Sequence, residues 1–178
     1  MPRLKPLTPD EMTPEQRKVC EVISSTRKTG LGGPFSVWFR TPALAEPANG
    51  LHNAFRLHGA LDRRLFELLI LLVAHEHGAN YVWTFHIGQA LKAGLARSTI
   101  DAVGEDRMPH FAVADERLIY DLVRELLSAK TLSDASFKSG MDTLGEALLI
   151  ELVSAVGFYS AVCLLVNSFD VPAPSRHG

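Results

Sequence analysis

Glu67-Leu-Leu-Ile-Leu-Leu-Val-Ala-His75-Glu76-His77-Gly78-Ala79-Asn80-Tyr81-Val82-Trp83-Thr84-Phe85-His86 is the stretch on which the reading of this chain turns. A carboxylate opens a run that stays apolar as far as Ala74, which fits a helix packed on most of its sides. A carboxylate in that setting needs a partner or a proton. At about 100° per residue, Glu67, Leu71, Ala74 and Gly78 fall on one stripe. Gly78 interrupts the helix, and Asn80 is expected to cap a second one that runs to Ala93 and ends at Gly94. There Ala79, Val82 and His86 share a face. If the two helices are neighbours running antiparallel, Glu67 and His86 converge in an apolar pocket as an acid/base unit. Such a pair also occurs simply as a satisfied core contact, and spacing alone does not separate the two.

Outward from this stretch, helix signals recur and strand signals are scarce. Thr8-Pro9-Asp10-Glu11 and Thr13-Pro14-Glu15 each combine a capping hydroxyl, a first-turn proline and an acidic residue. They predict a helix over 14–28 stopped by Gly30, with Gly32-Gly33-Pro34 as a loop. Thr41-Pro42 starts a helix toward Leu57 whose first turn Pro47 disturbs, and Asp62 caps the helix that carries Glu67. Ser98 opens a short helix to Val103, and apolar residues at 118, 119, 122, 123, 126 and 127 predict a helix over 113–129. Ser133-Asp134 caps one toward Leu144, and Gly145 precedes a long apolar helix ending near Asn167. About eight helices and no strand make an all-α bundle the expected class. The chain reads as a single domain over 1–178, with its core motif at 61–103 and an N-terminal arm at 1–33.

Composition narrows the function classes. The chain has 178 residues, 47% hydrophobic, and 18 basic against 20 acidic side chains give a net charge of −2. That length buries a core without staples, and the charge balance lacks the basic footprint of a nucleic-acid binder. Residues 152–169 carry no charge and reach the lower edge of a membrane span, but they hold Ser154, Gly157, Tyr159, Ser160, Asn167 and Ser168 and lack a basic flank. They are read as a core helix, or one shared with another subunit. Two cysteines, Cys20 and Cys163, and an N-terminus without an apolar signal core give the expectation of a reducing, cytoplasmic location.

Other reactive side chains are weaker candidates. His75 and His77 lie about 200° apart around a helix, so they do not chelate one metal from a continuous helix, and no metal or cofactor is expected. Tyr81 and Trp83 are core or interface aromatics, or else line a ligand pocket together with His75 and His77. His52, His58, His110 and His177 belong to no motif. Glu151 reads as a charge complementing the long helix's dipole.

From Leu61 to Val103 the sequence resembles the carboxymuconolactone decarboxylase and alkylhydroperoxidase D superfamily. Its redox branch has the pattern Glu-x11-Cys-x2-Cys-x3-His across two consecutive helices. Here Glu67, Ala79, Val82 and His86 keep that spacing, and Ala90-Leu91-Lys92-Ala93-Gly94-Leu95 is similar to the A-x-x-A-G-L ending. The resemblance implies an alkylhydroperoxidase D-like fold. Ala79 and Val82 stand where the family places its thiols, so the peroxidase mechanism, which needs a thiolate and a resolving thiol, is not expected. What remains is the cysteine-free branch, for which the resemblance implies cofactor-free decarboxylation of a small carboxylate or lactone in aromatic-compound breakdown. His86 would be the general acid or base and Glu67 would orient it or shuttle its proton. Arg56, Arg63, Arg64 or Lys92 would anchor an anionic substrate. The resemblance also implies a homo-oligomer, a trimer or hexamer. The rival readings are a non-catalytic ligand-binding or scaffold protein and a divergent peroxidase.

Overall fold

The computed structural model describes residues 2–26 and 32–174. Among the described residues there are eight helices and no strand: α1 (Pro14–Thr26), α2 (Phe35–Trp38), α3 (Pro42–Leu57), α4 (Arg63–Glu76), α5 (Asn80–Lys92), α6 (Arg97–Gly104), α7 (Ala114–Ala129) and α8 (Asp134–Ser168), with a 3-10 turn at Pro9–Glu11. The end of α1, and with it the expected stop at Gly30, lies outside the described residues. The chain forms two compact units, residues 1–59 with 165–172, and residues 60–164 with 173–178.

In the first unit, Thr13 and Gln16 form a reciprocal cap on α1, with hydrogen bonds of 3.2 and 3.0 Å. A small core of Met12, Cys20, Ile23, Phe35, Phe39 and Ala45 lies beneath α1, α2 and α3. The short helix α2 was not expected from the sequence. It follows the glycine-rich loop directly, and Phe35 is held by edge-on contact with Trp38 rather than by any local capping signal.

In the second unit α4 is the axis. Every residue from Leu65 to Ala74 is buried, Glu67 among them, and α5, α6 and α7 all pack against this helix. Asp62 caps it as expected, accepting from the backbone N–H groups of Arg64 at 3.0 Å and Leu65 at 3.4 Å. It ends at Gly78, where φ is +58° and Ala79 and Gly78 donate back to the carbonyls of Ala74 and His75 at 2.8 and 3.0 Å. Gly94 ends α5 in the same way, with φ +91° and returns to Ala90 and Leu91. Two sequence expectations are corrected. The N-cap of α5 is Ala79, and Asn80 lies inside the helix, where its side chain accepts from the Thr84 hydroxyl at 3.2 Å. The next helix starts at Arg97, with Ala96 rather than Ser98 at its boundary.

Helix α8 is broken by Gly145, whose φ of +76° and ψ of +171° divide it into residues 134–144 and 146–168. Glu151 does not serve the dipole: its carboxylate accepts from the backbone N–H of Ala60 at 2.9 Å and of Leu61 at 3.4 Å. By length and composition α8 is apolar enough to cross a membrane, and 44% of its most apolar window is buried.

The two glycine breaks make different demands. A Cβ at either position meets no neighbour, so backbone conformation alone decides the cost. Gly78 is in the left-handed helical region, whereas Gly145 is in a region open essentially to glycine. Gly145→Ala is expected to cost about 1–3 kcal/mol, and Gly78→Asn well under about 1 kcal/mol because Asn tolerates that region. Urea denaturation of both variants checks the order.

Candidate functional site

The hairpin of α4 and α5 brings its two polar buried residues into contact. His86 Nδ1 lies 2.7 Å from Glu67 Oε2, with Glu67 0% exposed and His86 7% exposed. The other carboxylate oxygen, Oε1, is 2.6 Å from Nη2 of Arg63, one helical turn back on α4. A guanidinium, a carboxylate and an imidazole therefore form one line running from a partly exposed arginine into the core. The arginine is 40% exposed at its side chain, and its guanidinium carbon lies 5.6 Å from the centre of the Phe66 ring.

Aromatic rings hold the imidazole. Tyr159 of α8 meets His86 edge-on at 5.8 Å, and Phe85 does so at 5.2 Å. Tyr159 also packs edge-on against Phe66 at 5.7 Å, so one tyrosine braces both helices of the hairpin. With Nδ1 engaged by a carboxylate, the ring's proton is placed on that nitrogen, and Nε2 becomes the nitrogen suited to exchange a proton with another molecule. Chemically, the arrangement is an oriented imidazole with a buried carboxylate behind it.

The remaining sequence candidates are distributed around the hairpin. Ala79 and Val82 are buried on the face of α5 that carries His86. Trp83 and His75 face each other at 5.9 Å and line a cleft of about 230 Å³ beside Ala79 and Gly104. His75 Nε2 is 3.5 Å from Asp106. Tyr81 stacks on Phe85 at 6.2 Å, and His77 is the C-cap residue of α4. Of the four cations considered, Arg63 pairs with Glu67. Arg64 pairs with Asp115 at 2.8 Å and with Glu116, and the Asp115 hydrogen bond holds its guanidinium above its ordinary value. Lys92 is exposed at the end of α5, and Arg56 belongs to the first compact unit. Among the described residues no three His, Cys, Asp or Glu side chains converge as metal ligands. His177 lies outside the described residues.

Sequence reasoning named Arg63 only as one of four possible anchors, although its i, i+4 spacing from Glu67 was a readable signal. It missed Tyr159, which carries no local signal because its contact with His86 spans most of the unit.

Residues 42–125, which contain this hairpin, match the model of the carboxymuconolactone decarboxylase family. This stretch, a little under half of the chain, is similar to the carboxymuconolactone decarboxylase family. A crystal structure of a protein of unknown function from Agrobacterium tumefaciens, described as a candidate antioxidant defence protein AhpD, has the same fold. Its TM-score is 0.70 at 15% identity, covering 79% of this chain and 97% of that one. No curated protein sequence matches the chain significantly.

The placement of its thiols sets the chain apart from the family pattern it resembles. Neither described cysteine is in the hairpin: Cys20 is buried in α1 and Cys163 in α8. Burial pushes the Cys163 thiol up to about 12, so at pH 8 roughly one molecule in ten thousand carries the thiolate. Iodoacetamide at pH 8 is expected to leave Cys163 unmodified in the native protein and to label it in denaturant, as read by mass spectrometry. A peroxidase activity abolished by alkylation would contradict this.

Proposed function

We propose that this protein is an enzyme that uses His86 as a general acid or base, positioned by Glu67, for cofactor-free decarboxylation or a related proton transfer on a small carboxylate or lactone. The 2.7 Å contact between His86 Nδ1 and Glu67 Oε2 carries the proposal. Glu67 has no exposed surface and acts through the imidazole, whereas His86 retains a small exposed fraction. Arg63 is assigned as the anchor for the substrate's anionic group, because a guanidinium has donors enough to hold Glu67 and a second carboxylate together.

In the decarboxylation, the bond to the carboxylate carbon breaks and carbon dioxide leaves. The electron pair stays on the substrate as an enolate-like carbanion. His86 Nε2 first takes a proton from solvent, giving an imidazolium that Glu67 stabilises through Nδ1; this Nε2 proton then quenches the carbanion and leaves the ring neutral again, protonated at Nδ1. General acid catalysis of this kind is worth about 10²–10⁴ in rate.

A panel of lactones and small carboxylates, offered to wild type and to His86→Asn, tests the reading. Asparagine keeps an N–H near Nδ1 for Glu67 but has no second ring nitrogen, so the fold survives while proton transfer is lost. Turnover is expected to fall by about 10²-fold or more in the variant. Equal turnover of a substrate by both proteins overturns the role given to His86, and turnover of none of the panel by wild type favours a satisfied core pair in a binding or scaffold protein.

The same reading includes a cytoplasmic homo-oligomer, a trimer or hexamer, that binds neither nucleic acid nor membrane. Its support is the exposed, charge-free stripe of Ile150, Val153, Gly157, Ala161 and Leu164 on α8, since apolar surface of this extent marks interfaces. Light scattering is expected to give a multiple of the 19.5 kDa chain for wild type and a smaller species for Ile150→Glu with Leu164→Glu. A monomeric wild type contradicts it.

A further inference from the structure

The second compact unit contains a larger cleft that shares no lining residue with the Glu67–His86 pair. Its volume is about 520 Å³, within the range of small-molecule sites. Arg64 of α4, Ser98 and Thr99 of α6, and Glu116 of α7 line it, with His110 from the α6–α7 connection. Ala96, Ala112 and Val113 contribute apolar wall.

Three features of this wall have hydrogen-bonding capacity left over. Ala96 precedes α6 and supplies no side-chain cap. The backbone bonds at this end begin with Thr99 and Ile100, both donating to the Ala96 carbonyl, so the N–H groups of Arg97 and Ser98 have no partner among the described residues. Thr99 is 2% exposed, yet its hydroxyl makes no hydrogen bond to any described residue and lines the cleft. Glu116 is 4% exposed, and its ion pair with Arg64 engages Oε1, leaving Oε2 as a further acceptor on the same wall. Thr99 and Glu116 are almost wholly buried and meet solvent only at the cleft, so a ligand seated there finds their spare hydrogen-bonding capacity.

The charges select the class. Two N–H groups at a helix start and a hydroxyl suit a carboxylate. Arg64 is already compensated by Asp115 and Glu116, so the cleft as a whole is not cationic and does not suit a polyanion. The spare Glu116 oxygen calls for a donor on the ligand. We infer that this cleft is a second binding site, for a small carboxylate that carries a neighbouring hydroxyl or ammonium group and an apolar body. The carboxylate is received by the start of α6 and Thr99, the donor by Glu116, and the apolar part by Ala96, Ala112 and Val113. The inference is independent of the role given to His86.

Titration of the ¹⁵N-labelled full chain with 3-phenyllactate, L-phenylalanine and 3-phenylpropionate tests it, the last lacking the donor. Saturable shifts of the Arg97, Ser98 and Thr99 amides are expected with the first two, and binding of 3-phenylpropionate weaker by about five-fold or more, the worth of one hydrogen bond. Thr99→Val removes the hydroxyl at nearly constant volume, so the melting temperature is expected to hold while affinity for 3-phenyllactate falls by about five-fold or more. Glu116→Gln is expected to narrow the gap between 3-phenyllactate and 3-phenylpropionate. No saturable shift at these amides up to about 10 mM, equal binding of all three acids, or unchanged affinity in Thr99→Val overturns the inference.

Discussion

A carboxylate with no exposed surface, on a helix buried at every residue from Leu65 to Ala74, is the constraint around which the second compact unit is organised. Taking such a group out of water costs several kcal/mol even after relaxation, and the cost is offset only by partners in good geometry. The partners of Glu67 within hydrogen-bonding distance include Arg63 from its own helix and His86 from the next. The first follows from helical spacing alone. The second requires α5 to fold back on α4 in one register, which the Gly78 turn makes possible and the Tyr159 ring reinforces by packing on both helices. A slip of α5 by one residue would rotate His86 by about 100° and leave the carboxylate without its imidazole. The polar pair thus specifies the packing of the apolar surfaces around it.

The parts of this arrangement that were legible in the sequence are those with a short-range physical cause. Glycines at 78 and 94 announced left-handed helix ends, Asp62 announced a cap, and Gly145 announced the break in α8. Glu67 and His86 were legible because each contradicts the apolar face on which it lies. What was not legible depends on tertiary contact. Helix α2 is too short to show periodicity and is held by its aromatic neighbours. Asn80 has the chemistry of a cap, but the return of Ala79 to Ala74 starts the helix one residue earlier than a capping asparagine would. Glu151 resembles a dipole charge in sequence and binds the backbone of a connection ninety residues away in structure. The cleft beside α6 draws its wall from three helices and two connections, and no local pattern marks it.

The pattern of the redox branch and this chain diverge at two side chains. With Ala79 and Val82 in the hairpin, and Cys163 held as a neutral thiol elsewhere, the carboxylate and imidazole remain while the nucleophile is gone. An imidazole backed by a carboxylate needs no thiol to move a proton, so the surviving pair is complete for acid/base work although incomplete for peroxide reduction. Adjacent arginines on α4 are directed to different carboxylates, Arg63 to Glu67 and Arg64 to Glu116, which is why the proposal gives the anchoring role to Arg63.

The central claim is that Glu67 fixes the protonation state and orientation of the His86 ring. Long-range ¹H–¹⁵N correlation spectroscopy of the histidine side chains tests it most directly. The neutral His86 ring is expected as the tautomer protonated at Nδ1, with a downfield Nδ1 proton that exchanges slowly with water and is lost in His86→Asn. A ring protonated at Nε2 with Nδ1 bare, or an Nδ1 proton exchanging as fast as that of an exposed histidine, would contradict the account.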